Sequence, residues 1–242
     1  MLEWLGQEKA KILDLGCGQG EFVHFARSNG LDCFGVDTFE GIYESWESDN
    51  QFIEKIIEGK IPFLDGTFMR LISNQVLEHI DEKALPKFFS EIDRVLVLNG
   101  KALLIYPTKM TAVESHVGLP FAAQFIRFPI ALKIYLAAAY SLGFGYWRGE
   151  NKRGGPATLS QSKWVTMQVN ALAAHCHYPK RLEIENACQK SNLKMTNASK
   201  LLLNLITVRI PLIKPLKYLP KSLQRIAVQI AIGKVLVLEK NP

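Results

Sequence analysis

Cysteine is scarce in this chain: there are four in 242 residues, Cys17, Cys33, Cys176 and Cys188, and no two of them form a Cys-x-x-Cys pair. The missing pair argues against a zinc site, and a disulfide at Cys17 would distort the glycine-rich turn around it, so a reducing compartment is expected. Long apolar runs are lacking as well. The apolar stretch Ile134 to Trp147 has 14 uncharged residues, short of the roughly 20 that cross a bilayer, and no membrane span is expected. The start, Met1-Leu2-Glu3-Trp4-Leu5, lacks the basic-then-apolar order of a secretory leader, which makes the cytoplasm the expected location. Acidic side chains thin out along the chain: residues 1–100 hold 9 basic and 18 acidic groups, residues 101–200 hold 13 and 4, and the remainder hold 7 and 1. The net charge of +6 therefore conceals an acidic first part and a basic rest.

At 48% hydrophobic, the chain can bury a substantial core, and it reads as one domain over 1–242. Its most informative run is Lys11-Ile12-Leu13-Asp14-Leu15-Gly16-Cys17-Gly18-Gln19-Gly20-Glu21-Phe22. Ile12, Leu13 and Leu15 have the continuous apolar character of a buried parallel strand, and three alternate glycines then let the backbone turn tightly and approach a ligand. Glu21 to Arg27 reads as the helix that follows. Dinucleotide sites space their glycines G-x-G-x-x-G; here the spacing is G-x-G-x-G, and Glu21 would face a pyrophosphate with a carboxylate. Asp14 at the strand end suits a ligand with a cationic amino group.

On these residues the chain resembles the class I S-adenosylmethionine-dependent methyltransferases, in which an acid-x-G-x-G-x-G turn wraps the amino acid end of the cofactor. Further segments fall in that family's order. Cys33 to Asp37 reads as a second strand ending in an acid, seventeen positions after Gly20, where a carboxylate can accept both ribose hydroxyls. Ile61 to Phe68 resembles the loop before strand four, Leu71 to Ile80 strand four and its exit, and Leu85 to Tyr106 a helix to Leu98, a glycine turn at Asn99-Gly100-Lys101 and strand five from Ala102. The acid expected near the adenine is not placed: Ile57 stands there, with Glu58 beside it.

The resemblance implies an α/β fold, a Rossmann-like doubly wound sheet, mostly parallel with an antiparallel last strand. It assigns the core to 8–108, 179–200 and 233–240, a helical lid insertion to 109–178 and a basic apolar insertion to 201–232. It implies S-adenosylmethionine as cofactor, with S-adenosylhomocysteine as product. The cofactor residues it marks are Asp14, Gly16, Cys17, Gly18, Gly20, Phe22, Asp37, Thr38, Asn74 and Gln75. No metal is expected: Gln75 replaces the first acid of a Glu-x-x-Glu-His run that some quinone-modifying relatives use, and Cys176 between His175 and His177 is expected to point away from both.

Methyl transfer to a hydroxyl needs a base. His116, just past strand five, is the expected one, ahead of His175 and His177. The expected activity is methylation, at oxygen, of a small or lipid-linked acceptor such as a glycan precursor or a quinone-like lipid. The alternatives are an RNA methyltransferase and a non-catalytic cofactor-binding partner subunit. The strand-four exit, Ser73-Asn74-Gln75-Val76, is not the Asn/Asp-Pro-Pro-aromatic run of enzymes that methylate flipped bases, which argues against nucleic acid. The basic insertion reads first as a homodimer contact or a core flap with a solvated basic face, and it also suits peripheral contact with the inner face of a membrane through 201–232.

Overall fold

The computed structural model describes residues 10–38, 49, 51–145, 159–200, 203–204 and 211–241. Seven strands form one sheet: β1 (Ile12–Leu15), β2 (Cys33–Asp37), β3 (Ile53–Lys55), β4 (Phe68–Asn74), β5 (Leu96–Tyr106), β8 (Leu193–Asn197) and β9 (Lys234–Lys240). Their order is β3-β2-β1-β4-β5-β9-β8. β9 runs antiparallel to β5 and β8, and the pairings from β3 through β5 are all parallel. The expected antiparallel last strand is therefore present, inserted one place in from the edge. Because β1 and β4 lie side by side in the middle, their carboxyl ends open into the crevice where such sheets bind ligands.

The helices follow the apolar spacing. On α1 (Glu21–Ser28) Val23 and Ala26 are buried, and on α2 (Leu85–Val95) Leu85, Phe89, Ile92 and Val95 form one stripe under the sheet. Two boundaries differ from expectation. The helix expected to run to Leu98 stops at Val95, because Leu96 pairs with Phe68 and is buried in the sheet. The expected turn at Asn99-Gly100-Lys101 survives as a bulge inside β5: the register passes from Phe68–Leu96 to Arg70–Lys101, with Asn99 at φ 61. The helix expected over 179–191 is α5 (Arg181–Cys188).

Among the described residues between β5 and α5 lie a short hairpin, β6 (Val113–Glu114) and β7 (Leu119–Pro120), 3₁₀ turns at Ala122–Arg127, and two helices, α3 (Pro129–Leu142) and α4 (Gln161–His175). They enclose a second core around Trp164, Leu136, Leu132 and Leu172. Tyr146 and Trp147, expected in this lid, lie outside the described residues, as do residues 8–9, 201–202 and 205–210 of the expected segments. Before β9 come 3₁₀ turns at Pro211–Tyr218 and α6 (Lys221–Ala231).

Candidate active site

A cavity of about 690 Å³ opens at the carboxyl ends of β1, β2 and β4, within the range of ligand pockets. The glycine turn forms one wall. Gly16 has φ +79, and a Cβ there would come within 2.1 Å of a Val76 methyl. Gly18 has φ +56, and its missing side chain leaves open space into the cavity. A backbone with no side chains in the way, followed by α1 with Gly20 at its N-terminus, is a cradle for the polar end of a ligand. Gly16→Ala should cost about 1–3 kcal/mol through the strained φ and the clash, read as a lowered Tm. Val76→Ala should restore part of the loss, and an unchanged Tm for the single variant would contradict the packing described.

Asp37 is fixed for a role at the second wall. Its Oδ2 accepts from the Gly18 N–H at 2.8 Å and its Oδ1 from the Thr38 N–H at 2.6 Å. Oδ1 also accepts from the Thr38 hydroxyl at 3.3 Å, so Oδ2 keeps the free lone pair, and the carboxylate lies along the cavity rim with Thr38. Asp14 is buried below; burial, and then the charge of Asp37, push its carboxyl up to about 7. The turn at Ile57–Lys60 and the α2 residues Lys87, Phe88 and Glu91 close the far end. Lys87 donates to the Glu58 carbonyl, so backbone and amine occupy the place where an adenine acid was not found in the sequence.

Of the residues marked from the sequence, Gly16, Gly18, Asp37, Thr38 and Gln75 line the cavity. Gln75 does so at φ 58, with its N–H on the Ile105 carbonyl. Gly20 shapes the helix entry. Cys17 instead turns its thiol onto Gly35 beneath the turn, and Phe22 packs on the same small core, because the turn puts alternate side chains inward. Asn74 ends β4 exposed and outside the lining.

A second group of side chains meets the cavity at His79, which sequence reading did not single out as functional. His79 Nε2 is 3.2 Å from His116 Nε2, the rings are edge to face, and His116 Nδ1 is 2.6 Å from Glu114 Oε1. Glu114 is buried. Its Oε2 accepts from the N–H groups of His116 and Val117, both at 2.8 Å, and its Oε1 from the Tyr178 hydroxyl at 2.6 Å. Burial alone would raise the Glu114 carboxyl, but the hydrogen bonds from His116 and Tyr178 outweigh it and hold the group below its usual range. Burial pulls the His116 imidazole down, while Cys176 and Glu114 outweigh that and push it up to about 10. Glu78 adds a fully buried carboxyl, pushed up to about 7 by burial, with no hydrogen-bond partner for either oxygen among the described residues.

The expected base His116 thus stands one residue back from the cavity, behind His79. His177 is exposed, its N–H held by the Glu78 carbonyl at 2.7 Å; the His175 side chain lies outside the described residues. Cys176 is buried on the side away from the exposed His177, but it follows α4 instead of lying in a strand, and its Sγ is 3.6 Å from His116 Nδ1. His79, His116 and Cys176 consequently bring one ligating atom each within 4.8 Å of the others, a set that a soft divalent ion could use. Gln75 still stands where the quinone-modifying run has its first acid, but this second set was not foreseen, and a chelator control belongs in any assay.

The comparisons with known proteins agree with this arrangement. A family model described as "Methyltransferase domain" matches residues 1–198. A curated relative, the biotin biosynthesis bifunctional protein BioHC of Saccharophagus degradans, is 28% identical over 109 residues, which cover 43% of this chain and only 19% of that protein. Among solved structures, a S-adenosylmethionine-dependent methyltransferase from Mesorhizobium loti aligns over 98% of this chain and 95% of its own, with a TM-score of 0.53 at 13% identity. A geranyl diphosphate methyltransferase solved in complex with SAM aligns over 100% of this chain and 82% of its own, with a TM-score of 0.50 at 17% identity. At such identities the structural likeness speaks to the fold. With the family model spanning most of the sequence, the chain belongs to the methyltransferase-domain family and is a class I S-adenosylmethionine-dependent enzyme.

Proposed function

We propose that the enzyme methylates an oxygen of a small or lipid-linked acceptor that enters the cavity at His79. The observation that carries this reading is the chain His79–His116–Glu114, which runs from the cavity wall to a buried carboxylate. Bound S-adenosylmethionine supplies a methyl group on a sulfonium, which leaves by in-line displacement.

The protein's tasks are to exclude water, align the acceptor oxygen and take up its proton. In the tautomer that suits the hydrogen bonds, His116 donates from Nδ1 to Glu114 and accepts at Nε2 from His79. A proton taken by His79 from the acceptor is then drawn towards His116, whose affinity Cys176 and Glu114 raise. The unloaded, proton-accepting form of the pair grows with pH, so turnover should rise with pH. Glu114→Gln should shift that rise to lower pH by lowering the proton affinity of His116.

Two features support an apolar acceptor. Beside His79 the cavity wall includes Ile80, and α4 contributes Ala174. The outward face of α3 leaves Phe128, Ile130 and Ile134 exposed, an apolar surface beside the lid.

The test is to incubate the protein with methyl-labelled cofactor and an extract of its own cells, with and without chelator, and to separate organic and aqueous phases. Label in the organic phase supports the lipid-linked acceptor. Aqueous label that is stable to nuclease and base-labile narrows it to a small polar ester, and nuclease-sensitive label overturns the reading in favour of RNA. Cofactor binding without any transfer supports a non-catalytic partner subunit.

At the cofactor end a pH effect of definite sign is expected. A cationic amino group beside Asp14 needs the ionised carboxylate, and this carboxyl sits at about 7 when the site is empty. Affinity for S-adenosylmethionine should therefore fall by up to about tenfold per pH unit below 7 and level off above it. Calorimetric titration over this range should show that slope, and Asp14→Asn should flatten it; a flat profile in the unmodified protein would rule Asp14 out as the partner of the amino group.

A further inference from the structure

Between Glu185 and Glu239 the chain carries nine lysines and arginines and no acid. Within this stretch α6 packs Val228 onto Leu103, Ile105 and Val235 of the sheet, and its burial is the reverse of an ordinary surface helix. Leu223, Ile226 and Ile230, spaced i, i+3 and i+7, are 46%, 49% and 39% exposed, while Gln224 is buried with Val228 on the inner side. Gln224 is not stranded there: its Nε2 donates to the Lys217 and Leu219 carbonyls, both at 2.8 Å. The fold thus spends a polar side chain on anchoring the helix and leaves the aliphatic stripe outside.

Arg225 flanks that stripe next to Ile226, Lys221 opens the helix, Lys214 and Lys217 lie on the preceding turns, and Tyr218 is 89% exposed. The stripe continues beyond the helix. The Ala112 N–H donates to the Ile230 carbonyl at 2.6 Å, which brings the exposed side chains of Met110 and Val113 to the same end. This is also the base of the hairpin that carries Glu114.

Arg225 borders a second cavity of about 410 Å³, together with Arg181 and Lys234. The single acid in its lining, Glu185, is engaged by Arg181 at 2.5 Å. Burial, and then the charge of Arg181, hold the Lys234 amine below its usual range, so an anionic group bound there would relieve a crowding of positive charge.

We propose that this face, formed by the 214–219 turns, α6 and the 110–113 loop, docks on an anionic lipid bilayer, with the aliphatic stripe at the headgroup boundary and the lysines and arginines on lipid phosphates. Charge complementarity selects the occupant. A second copy of this face in a two-fold dimer would set basic residues against basic residues, and a nucleic acid would meet the basic groups but leave the aliphatic stripe in water. No described helix is long and apolar enough to cross a membrane, so the contact is peripheral.

The experiment is co-sedimentation of the full chain with vesicles of phosphatidylcholine alone or mixed with phosphatidylserine, alongside sedimentation velocity of the protein alone. Binding should be at least about tenfold tighter to the anionic vesicles and should weaken with salt. The double variants Leu223→Asn with Ile226→Asn, and Lys221→Glu with Arg225→Glu, should each lose at least about tenfold of it while S-adenosylmethionine affinity, measured as the control for folding, stays unchanged. Equal binding to both vesicle types, or none to either, would overturn the proposal. So would a dimer that either double variant breaks, or RNA binding that the asparagine variant leaves intact.

Discussion

Replacing Asp37 by alanine should weaken S-adenosylmethionine binding by about ten- to a thousandfold, equivalent to roughly 1.4–4 kcal/mol, without unfolding the protein. Two contributions add. Ribose hydroxyls bound at this rim would lose a charged acceptor, and the Gly18 N–H loses the 2.8 Å bond that holds the glycine turn in its shape. Asp37→Asn should fall between the two, because an amide keeps one acceptor oxygen and the shape but not the charge. Calorimetry on both variants, with Tm as the folding control, checks this. Unchanged affinity in the alanine variant would place the ribose elsewhere.

The second large effect lies at the other end of the cavity. His79→Ala should lower turnover by about 10²–10⁴, the usual contribution of a positioned proton acceptor, and leave cofactor affinity within about twofold. His116→Ala should cost less, because His79 remains at the cavity, and should remove the dependence of the pH profile on Glu114. Equal losses in turnover and cofactor affinity would mean that the pair only supports the local fold. If an acceptor arrives already anionic, no proton moves, and His79→Gln should then retain most of the turnover that His79→Ala loses.

The contrast between these two ends explains what could be read from the sequence. The cofactor end is local: Asp14, Gly16, Gly18 and Asp37 sit in two strand-turn units, and each residue type states its own conformational or charge requirement. Strand five was legible for the same reason, but burial of Leu96 against Phe68 ends the helix early and leaves the turn signal at Asn99 as a bulge within the strand. The acceptor end is assembled from distant segments. His79 leaves β4, His116 sits in the β6–β7 hairpin, and Cys176 and Tyr178 follow α4. The N–H groups of His177 and Tyr178 on the Glu78 carbonyl bring the last of these segments in. No spacing rule links positions 79, 116 and 176, and Glu78-His79 reads in the sequence as an ordinary helix exit. One signal was available: Glu114 and His116 two residues apart before a Gly-Leu-Pro turn could have marked the hairpin as a carboxylate–imidazole unit. α6 was legible as basic and apolar, but only its burial pattern shows which side faces out.

The most direct test of the central claim is label transfer from methyl-labelled S-adenosylmethionine to a fractionated extract, run in parallel with the unmodified protein, Asp37→Ala and His79→Ala. The expected result is labelled product with the unmodified protein, loss with Asp37→Ala that excess cofactor partly restores, and loss with His79→Ala that cofactor does not restore. Transfer that neither substitution affects would contradict the placement of both the cofactor and the acceptor in this cavity.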